Sequence, residues 1–427
     1  MTPDTPPPPG RPARAGALLR HARLWLVPTV LCGLVALLLS LLYMGGILNP
    51  NGNLHRLPIA LVNQDKSPPL PGQQQNIGQQ LTDAVVASSP GKTVDWRRMD
   101  RAAAQEAMDS GKVFGALVVP EDFTASVAAL ATDGATVRPT ISVLTNPGLG
   151  SLGSSLASQI NQAAAHQASQ TIGKQLSAAV PNATPTTRLL LVDPVAVTTA
   201  VGHPIGRQSG LGLSSFYYAL LLVLCGFIGG NIINSGVDTA LGYADNEIGP
   251  WHARRPTVPI NRTQTLLLKM VMTAGISLLT TSLLMAATVG VLGMDASHLP
   301  LLWIFSYCAI VAVGLGVQAI NAAFGGIGQL VSMFVFIALA LPSSGATVPL
   351  EATPAFYRFL GIFEPMHQLS VGTRSILFFD ARGDAGLTRA WIMIAVGTVA
   401  ALVFGFAMTR YYDRRGLRRL TPQPAAE

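Results

Sequence analysis

Leu24-Trp-Leu-Val-Pro-Thr-Val-Leu-Cys-Gly-Leu-Val-Ala-Leu-Leu-Leu-Ser-Leu-Leu-Tyr-Met-Gly-Gly-Ile-Leu48 carries no charged side chain. A helix needs about 20 apolar residues to cross a ~30 Å hydrocarbon core, and this stretch is long enough. Reading outward from it fixes the class. A more polar insert, residues 49–210, follows it. The apolar pattern then returns in Leu211–Val237, in Leu266–Met294 with Lys269 at its mouth, and in Trp391–Thr409. Leu299–Pro349 is one apolar run too long for a single helix, and Phe324-Gly-Gly-Ile-Gly328 is the place to fold it back. The expected architecture is an α-helical integral membrane protein with six transmembrane helices. One precedes and five follow a small α/β extracytoplasmic domain.

Composition agrees with that class. The chain is 49% hydrophobic and only 11% charged, where an ordinary soluble domain carries roughly 25% charged residues. The net charge of +7 is not a nucleic-acid footprint, because the arginines cluster by topology. Arg11, Arg14, Arg20 and Arg23 precede the first span; Arg254, Arg255 and Arg262 lie between the second and third; Arg410, Arg414, Arg415, Arg418 and Arg419 follow the last. Six spans put all three groups on one face, and the positive-inside rule makes that face the cytoplasm. Both termini of the multi-pass chain are therefore expected on the cytoplasmic side of a plasma membrane. The expected organisation is a Pro-rich, disordered cytoplasmic tail over 1–23, the first span over 24–48, the extracytoplasmic domain over 49–210, a five-helix domain over 211–410 and a basic cytoplasmic tail over 411–427. Cys32, Cys225 and Cys308 all fall in the apolar runs, so the insert holds no disulfide.

Within the insert, Leu57–Val62, Thr93–Trp96, Val113–Val119, Thr140–Leu144 and Leu189–Val201 read as strands. Asn76–Ala87 and Arg101–Met108 read as helices, and Pro120-Glu-Asp-Phe-Thr opens another with its acids in the first turn. Leu152, Leu156, Ile160, Ala164, Ala168, Ile172 and Leu176 recur every four residues, the stripe of one long amphipathic helix.

No stretch carries a catalytic or cofactor constellation. Gly148-Leu-Gly-Ser-Leu-Gly153 matches a dinucleotide fingerprint, but no acid stands about 20 residues on, so it reads as a tight loop into a helix. Gly91-Lys92-Thr93 lacks the first glycine of a phosphate-binding loop. Glu364 and His367 have metal-pair spacing, yet Pro365 between them makes a capping acid the better reading. No catalytic residue, cofactor or metal is expected. Polar groups inside apolar spans carry more meaning, because they are costly in a bilayer. Asn231, Asn234 and Asp238 share one face of the second span, read either as interhelical hydrogen bonding or as a polar pathway. Gln318, Asn321 and Gln329 flank the fold-back. Gly226 and Gly230 have the spacing of close helix packing.

Three stretches carry a family resemblance. Ile59-Ala-Leu-Val-Asn-Gln-Asp65 resembles the strand-plus-Asn-x-Asp opening of the external domain in YhgE/Pip-like membrane proteins, which are grouped with the ABC-2 type transporter permeases. Gly111-Lys-Val-Phe-Gly-Ala-Leu-Val-Val-Pro-Glu-Asp-Phe-Thr124 is similar to their G-K…P-x-D-F-S/T segment, the most specific of the three. Gly345-Ala-Thr-Val-Pro349, Pro354, Pro365 and Arg374 resemble their re-entrant segment, which implies two short external half-helices over 343–380. The resemblance implies a permease subunit that exports a lipid, peptide or hydrophobic toxicant, working as a homodimer or heterodimer with an ATPase supplied by another chain. The cytoplasmic loop 236–262 would then meet that ATPase through Glu247, Trp251, Arg254 and Arg255. The alternative is a plain positive-inside loop on a non-transporting scaffold or receptor that displays the external domain.

Overall fold

The computed structural model describes residues 22–417 and 419, apart from 89–90, 131–137, 180–184, 249 and 254. The expected N-terminal tail with Arg11, Arg14 and Arg20 lies outside the described residues, as does Arg254. The side chains of Arg23 and Glu247 do too.

The chain is mostly helical with a small mixed sheet. Helix α1 (Ala22–Ile47) leads into an α/β unit built from β1 (Leu57–Asn63), α2 (Ile77–Ser88), β2 (Val94–Arg98), α3 (Arg101–Asp109), β3 (Gly115–Val119), α4 (Phe123–Ala129), β4 (Thr140–Thr145), α5 (Ser151–Ala179), α6 (Pro185–Val192) and β5 (Ala196–Val201). Its strand order is β2-β1-β3-β4-β5, with β4 antiparallel to β3 and the other pairs parallel. Alternation along the strands sorts the faces. Leu61, Leu117 and Val119 pack under α2, α4, α5 and α6, while Ala60, Val62, Ala116 and Val118 pack under α3.

Two quoted motifs meet at one hydrogen-bonded knot. Asp65 Oδ2 accepts from Gly78 N at the start of α2, and from Thr124 N and Oγ1 at the start of α4. Its Oδ1 accepts from Ser67 N, and Asn63 Oδ1 accepts from Asp65 N. The Asn-x-Asp and D-F-T signatures thus tie one strand end to two helix starts, where a carboxylate also suits the helix dipoles.

Two local expectations are corrected. Residues 189–201 are not one strand: Leu189-Leu-Leu-Val192 completes α6, and only Ala196–Val201 is extended. A short apolar run does not separate helix from strand by period. Pro185 starts the helix, and Ser169, bonded to Asp193 Oδ1 and Val195 N, fixes the break. Pro120 and its acids precede α4 rather than forming its first turn. The backbone carbonyl of Glu121 is held by Lys66 N, which keeps that stretch non-helical.

The second unit comprises α7 (Ser214–Ala240), the hairpin β6–β7 (Asn246–Ile248 with Trp251–Ala253), α8 (Arg262–Met285) with a π-helical end (Ala286–Val291), and α9 (Leu299–Phe324). It continues through α10 (Gly328–Met333), a π-turn (Phe334–Ala338), α11 (Ala340–Ser343), α12 (Ala355–Leu360), α13 (Pro365–Phe378) and α14 (Leu387–Arg414). Among the described residues, four stretches are long and apolar enough to cross a membrane: Ser214–Ala240, Arg262–Val291, Leu299–Ser343 and Leu387–Arg414; Cys32–Ile47 is a shorter apolar helix. The third stretch turns at Gly325, whose φ of 59° few other residues adopt. Helix α9 is the centre of the bundle, packing on α7, α8 and α14. A Cβ on Gly226 would lie 2.7 Å from Val313, and one on Gly230 3.0 Å from Val317, so the two glycines set the approach of α7 to α9. Their spacing signals this contact in the sequence.

Replacing Asp65 with Ala should remove four charge-assisted acceptor contacts and cost about 2 kcal/mol or more. Thermal unfolding of the purified chain in detergent reads this as a lowered midpoint; an unchanged midpoint contradicts the knot.

Candidate functional site

At the end of the bundle formed by the C-termini of α7 and α14 and the N-terminus of α8, a charged cluster sits among apolar helices. Lys269 of α8 is only 4% exposed. Its Nζ lies 2.7 Å from Asp238 Oδ1 and donates to Asn234 Oδ1 at 2.7 Å, both on α7. Arg419 donates to both carboxylate oxygens of Asp238, at 2.5 and 2.9 Å. The carboxylate therefore holds two cations, one bidentate.

Amides extend the cluster inward. Asn321 Nδ2 donates to Asn231 Oδ1 at 3.1 Å, and Gln318 Nε2 donates to the Gly230 carbonyl and to Thr273 Oγ1. All three residues singled out on α7, Asn231, Asn234 and Asp238, are thus engaged with α8, α9 or the chain after α14. A cavity of about 290 Å³ opens beside them, lined by Lys269, Arg262, Asn321, Thr409, Arg419 and Tyr243 among others. Two partners escaped the sequence reading. Lys269 stood out only as a charge near the mouth of a span. Arg419 lay in the expected basic cytoplasmic tail over 411–427, whereas α14 runs on to Arg414 and Arg419 docks on Asp238.

The docking is extensive. Asp413 accepts from Arg262 N, Thr263 N and Thr263 Oγ1, capping the start of α8. Arg262 Nε donates to the Leu417 carbonyl and its guanidinium lies over the Tyr412 ring. Arg419 stacks over Tyr243, whose hydroxyl donates to the Val258 and Ile260 carbonyls. The loop between α7 and α8 is thereby fastened to the cluster. Its β6–β7 hairpin pairs Glu247 with His252 along the backbone and leaves the Trp251 side chain 76% exposed; Arg255 is also exposed. The hairpin was not legible, because strands this short have no period.

At the opposite end the α/β unit rests on the segment after α11. Val348 and Ala352 share a core with Leu57, Ile59, Phe114 and Leu156. Phe379 stacks on His203 at 5.0 Å, and His203 is held by Asp109 Oδ1 and the Phe378 carbonyl. A Cβ on Gly148 would come within 2.9 Å of Phe379, and one on Gly153 within 2.4 Å of Phe114. The glycine-rich loop at the start of α5 exists for this contact. Pro349 and Pro354 flank a short 3₁₀ turn, and Pro365 opens α13. Glu364 Oε2 caps α13 by accepting from His367 N, while His367 Nδ1 bonds the Ser344 carbonyl. Arg374 on α13 is buried and faces a cavity of about 370 Å³ that Glu351, Lys112 and Arg97 also line. Burial pushes the Glu351 carboxyl up, against the lowering fields of Arg374, Arg358 and Arg97.

Asp238→Asn should be the most damaging single change in the cluster. It strands Lys269 in the bundle, and breaking a buried pair from one side costs about 3–5 kcal/mol. Lys269→Met should cost less, since Asp238 keeps Arg419. Adding Lys269→Met to Asp238→Asn should then restore stability. Unfolding midpoints of the three variants check the order, and equal losses for both single changes refute it.

A family model described as Protein of unknown function (DUF3533) matches residues 28–397. No curated protein and no solved structure gives a significant match.

Proposed function

This chain belongs to the DUF3533 family, and we propose that it is the membrane-spanning subunit of an export system of ABC-2 type, with six spans and both termini in the cytoplasm of a bacterial cell. The substrate would be a lipid, peptide or hydrophobic toxicant moved outward, with ATP hydrolysis supplied by a separate subunit. The observation that carries the reading is the fastening of the loop between α7 and α8 to the Asp238–Lys269–Arg419 cluster. Force applied to the loop reaches α7 and α8 directly, α14 through Asp413, and α9 through the Asn231–Asn321 bond. That is the mechanical requirement for a membrane subunit driven from outside the bilayer. The exposed Trp251 of the hairpin and the exposed Arg255 that follows it suit a docking contact.

Six spans require α1 to cross once and residues 299–343 to cross twice. The apolar, exposed flank of α1 (Leu26, Val30, Leu37 and Leu41) supports the first, and the turn at Gly325 supports the second. Helices α12 and α13 make a re-entrant pair at the outer surface, where the exposed Phe356, Phe359, Ile362 and Phe363 would meet lipid. Two copies, or this chain and a homologue, would frame the pathway.

Reversing Arg254 and Arg255 to Glu should abolish both efflux of a hydrophobic dye and co-purification of an ATPase, with membrane insertion intact. The scaffold alternative predicts no change in binding to the α/β unit and no dye efflux to lose. Reporter fusions after residue 60 and after residue 427 should report opposite sides of the membrane; reporters on the same side overturn the topology.

A further inference from the structure

We propose that the cavity between the α/β unit and α13 binds an oxyanion, a phosphate group, on Arg374. The proposal stands apart from export, because it rests on one buried guanidinium whose Nε has no hydrogen-bond partner and which the Glu351 carboxylate answers only from beyond salt-bridge distance. Arg374 is 9% exposed, and its Nε is buried without a hydrogen-bond partner. Among the described residues its guanidinium makes no hydrogen bond and no ion pair within 4 Å.

An arginine does not escape burial by losing its proton, and it presents five N–H donors in a planar fork. A buried charge left without hydrogen bonds costs several kcal/mol. Such a group persists where something else completes it. The other charged side chains of the cavity do not. Lys112 Nζ is committed to Asp384 Oδ2 at 2.6 Å. Arg97 is committed to Asp95 Oδ2 and to the Lys112 carbonyl. Glu351 lines the same space but stops short of a salt bridge with Arg374.

The shape selects the ligand chemistry. Arg374 projects into a space of about 370 Å³, more than a phosphate alone needs and enough for a phosphate with a substituent. The half-exposed Lys112 and Arg97 add positive charge at the rim. A phosphate accepts two parallel N–H bonds from a guanidinium. The ligand is a free phosphate or phosphate ester, or the headgroup of an anionic lipid; the chemistry at Arg374 is the same for both.

The test uses the full-length chain purified in neutral maltoside detergent, with thermal unfolding as the readout. In one arm inorganic phosphate is titrated against chloride at constant ionic strength. In the other, phosphatidylglycerol is added to the micelles and retained lipid is counted by intact-mass spectrometry. A ligand that binds only the folded state raises the midpoint by mass action. Wild type should gain several degrees from at least one probe, and which arm responds identifies the source. Arg374→Gln should weaken binding about tenfold or more, and Arg374→Lys, with charge but no fork, should lie between. Should Arg374→Gln not fold, Ala385→Trp at the rim of the cavity blocks the mouth with Arg374 in place and should abolish the same shift. The proposal is overturned if neither probe moves the wild-type midpoint, or if wild type, Arg374→Gln and Ala385→Trp respond alike. The first result would make Arg374 a long-range partner of Glu351 bridged by water.

Discussion

A lysine ammonium buried among apolar helices is tolerable only if a carboxylate answers it, and Lys269 is answered by Asp238. That one pair dictates the arrangement at its end of the molecule. It fixes the rotation of α8 against α7, since Asp238 and Asn234 must both face Lys269. It also draws the chain after α14 to the cluster, where Arg419 donates to both oxygens of the same carboxylate. The pair is weak evidence for stability, because desolvating two charges consumes most of their attraction. Its value lies in specificity: an alternative packing that separates them leaves a bare charge in the bundle.

The opposite end is governed by packing instead. The α/β unit does not hang from two linkers; it shares a hydrophobic core with residues 348–352 and receives Phe379 between Gly111, Gly148 and His203. Ion pairs of Lys112 with Asp384 and of Arg382 with Glu106 surround that contact. They are exposed and contribute little on their own. The ring of Phe379 stacks on His203 and fits against Gly111 and Gly148, where a Cβ would crowd it, so the joint is closely packed.

Much of this was legible in the sequence, and the reasons differ by element. The long apolar helices were visible because a bilayer demands length and excludes charge, a signal no local detail obscures. The stripe in α5 was visible because Leu156, Ala168, Ile172 and Leu176 recur on one face. The polar face of α7 was legible as a set, since Asn231, Asn234 and Asp238 violate the apolar pattern together. Their partners were not, because pairing across helices depends on rotation and register that no linear spacing encodes. Arg374 was legible only by resemblance to a re-entrant segment. Its burial depends on how the α/β unit seats itself, a long-range contact.

Helix α7 joins the two ends. Its N-terminus follows β5 through residues 202–213, where Gly212 lies against Pro147 and Gln208 N bonds Asp295. Its C-terminus carries Asp238. Between them Gly226 and Gly230 admit Val313 and Val317 of α9 at distances that leave no room for even one methyl group. Two helices seated this closely do not slide in small steps, because each ridge would climb a neighbouring backbone. Were a displacement imposed at the charged cluster, as the proposed export would require, α7 and α9 would move as one body. It would reach the place where the α/β unit, α13 and the Arg374 cavity meet, since α7 also packs along α13.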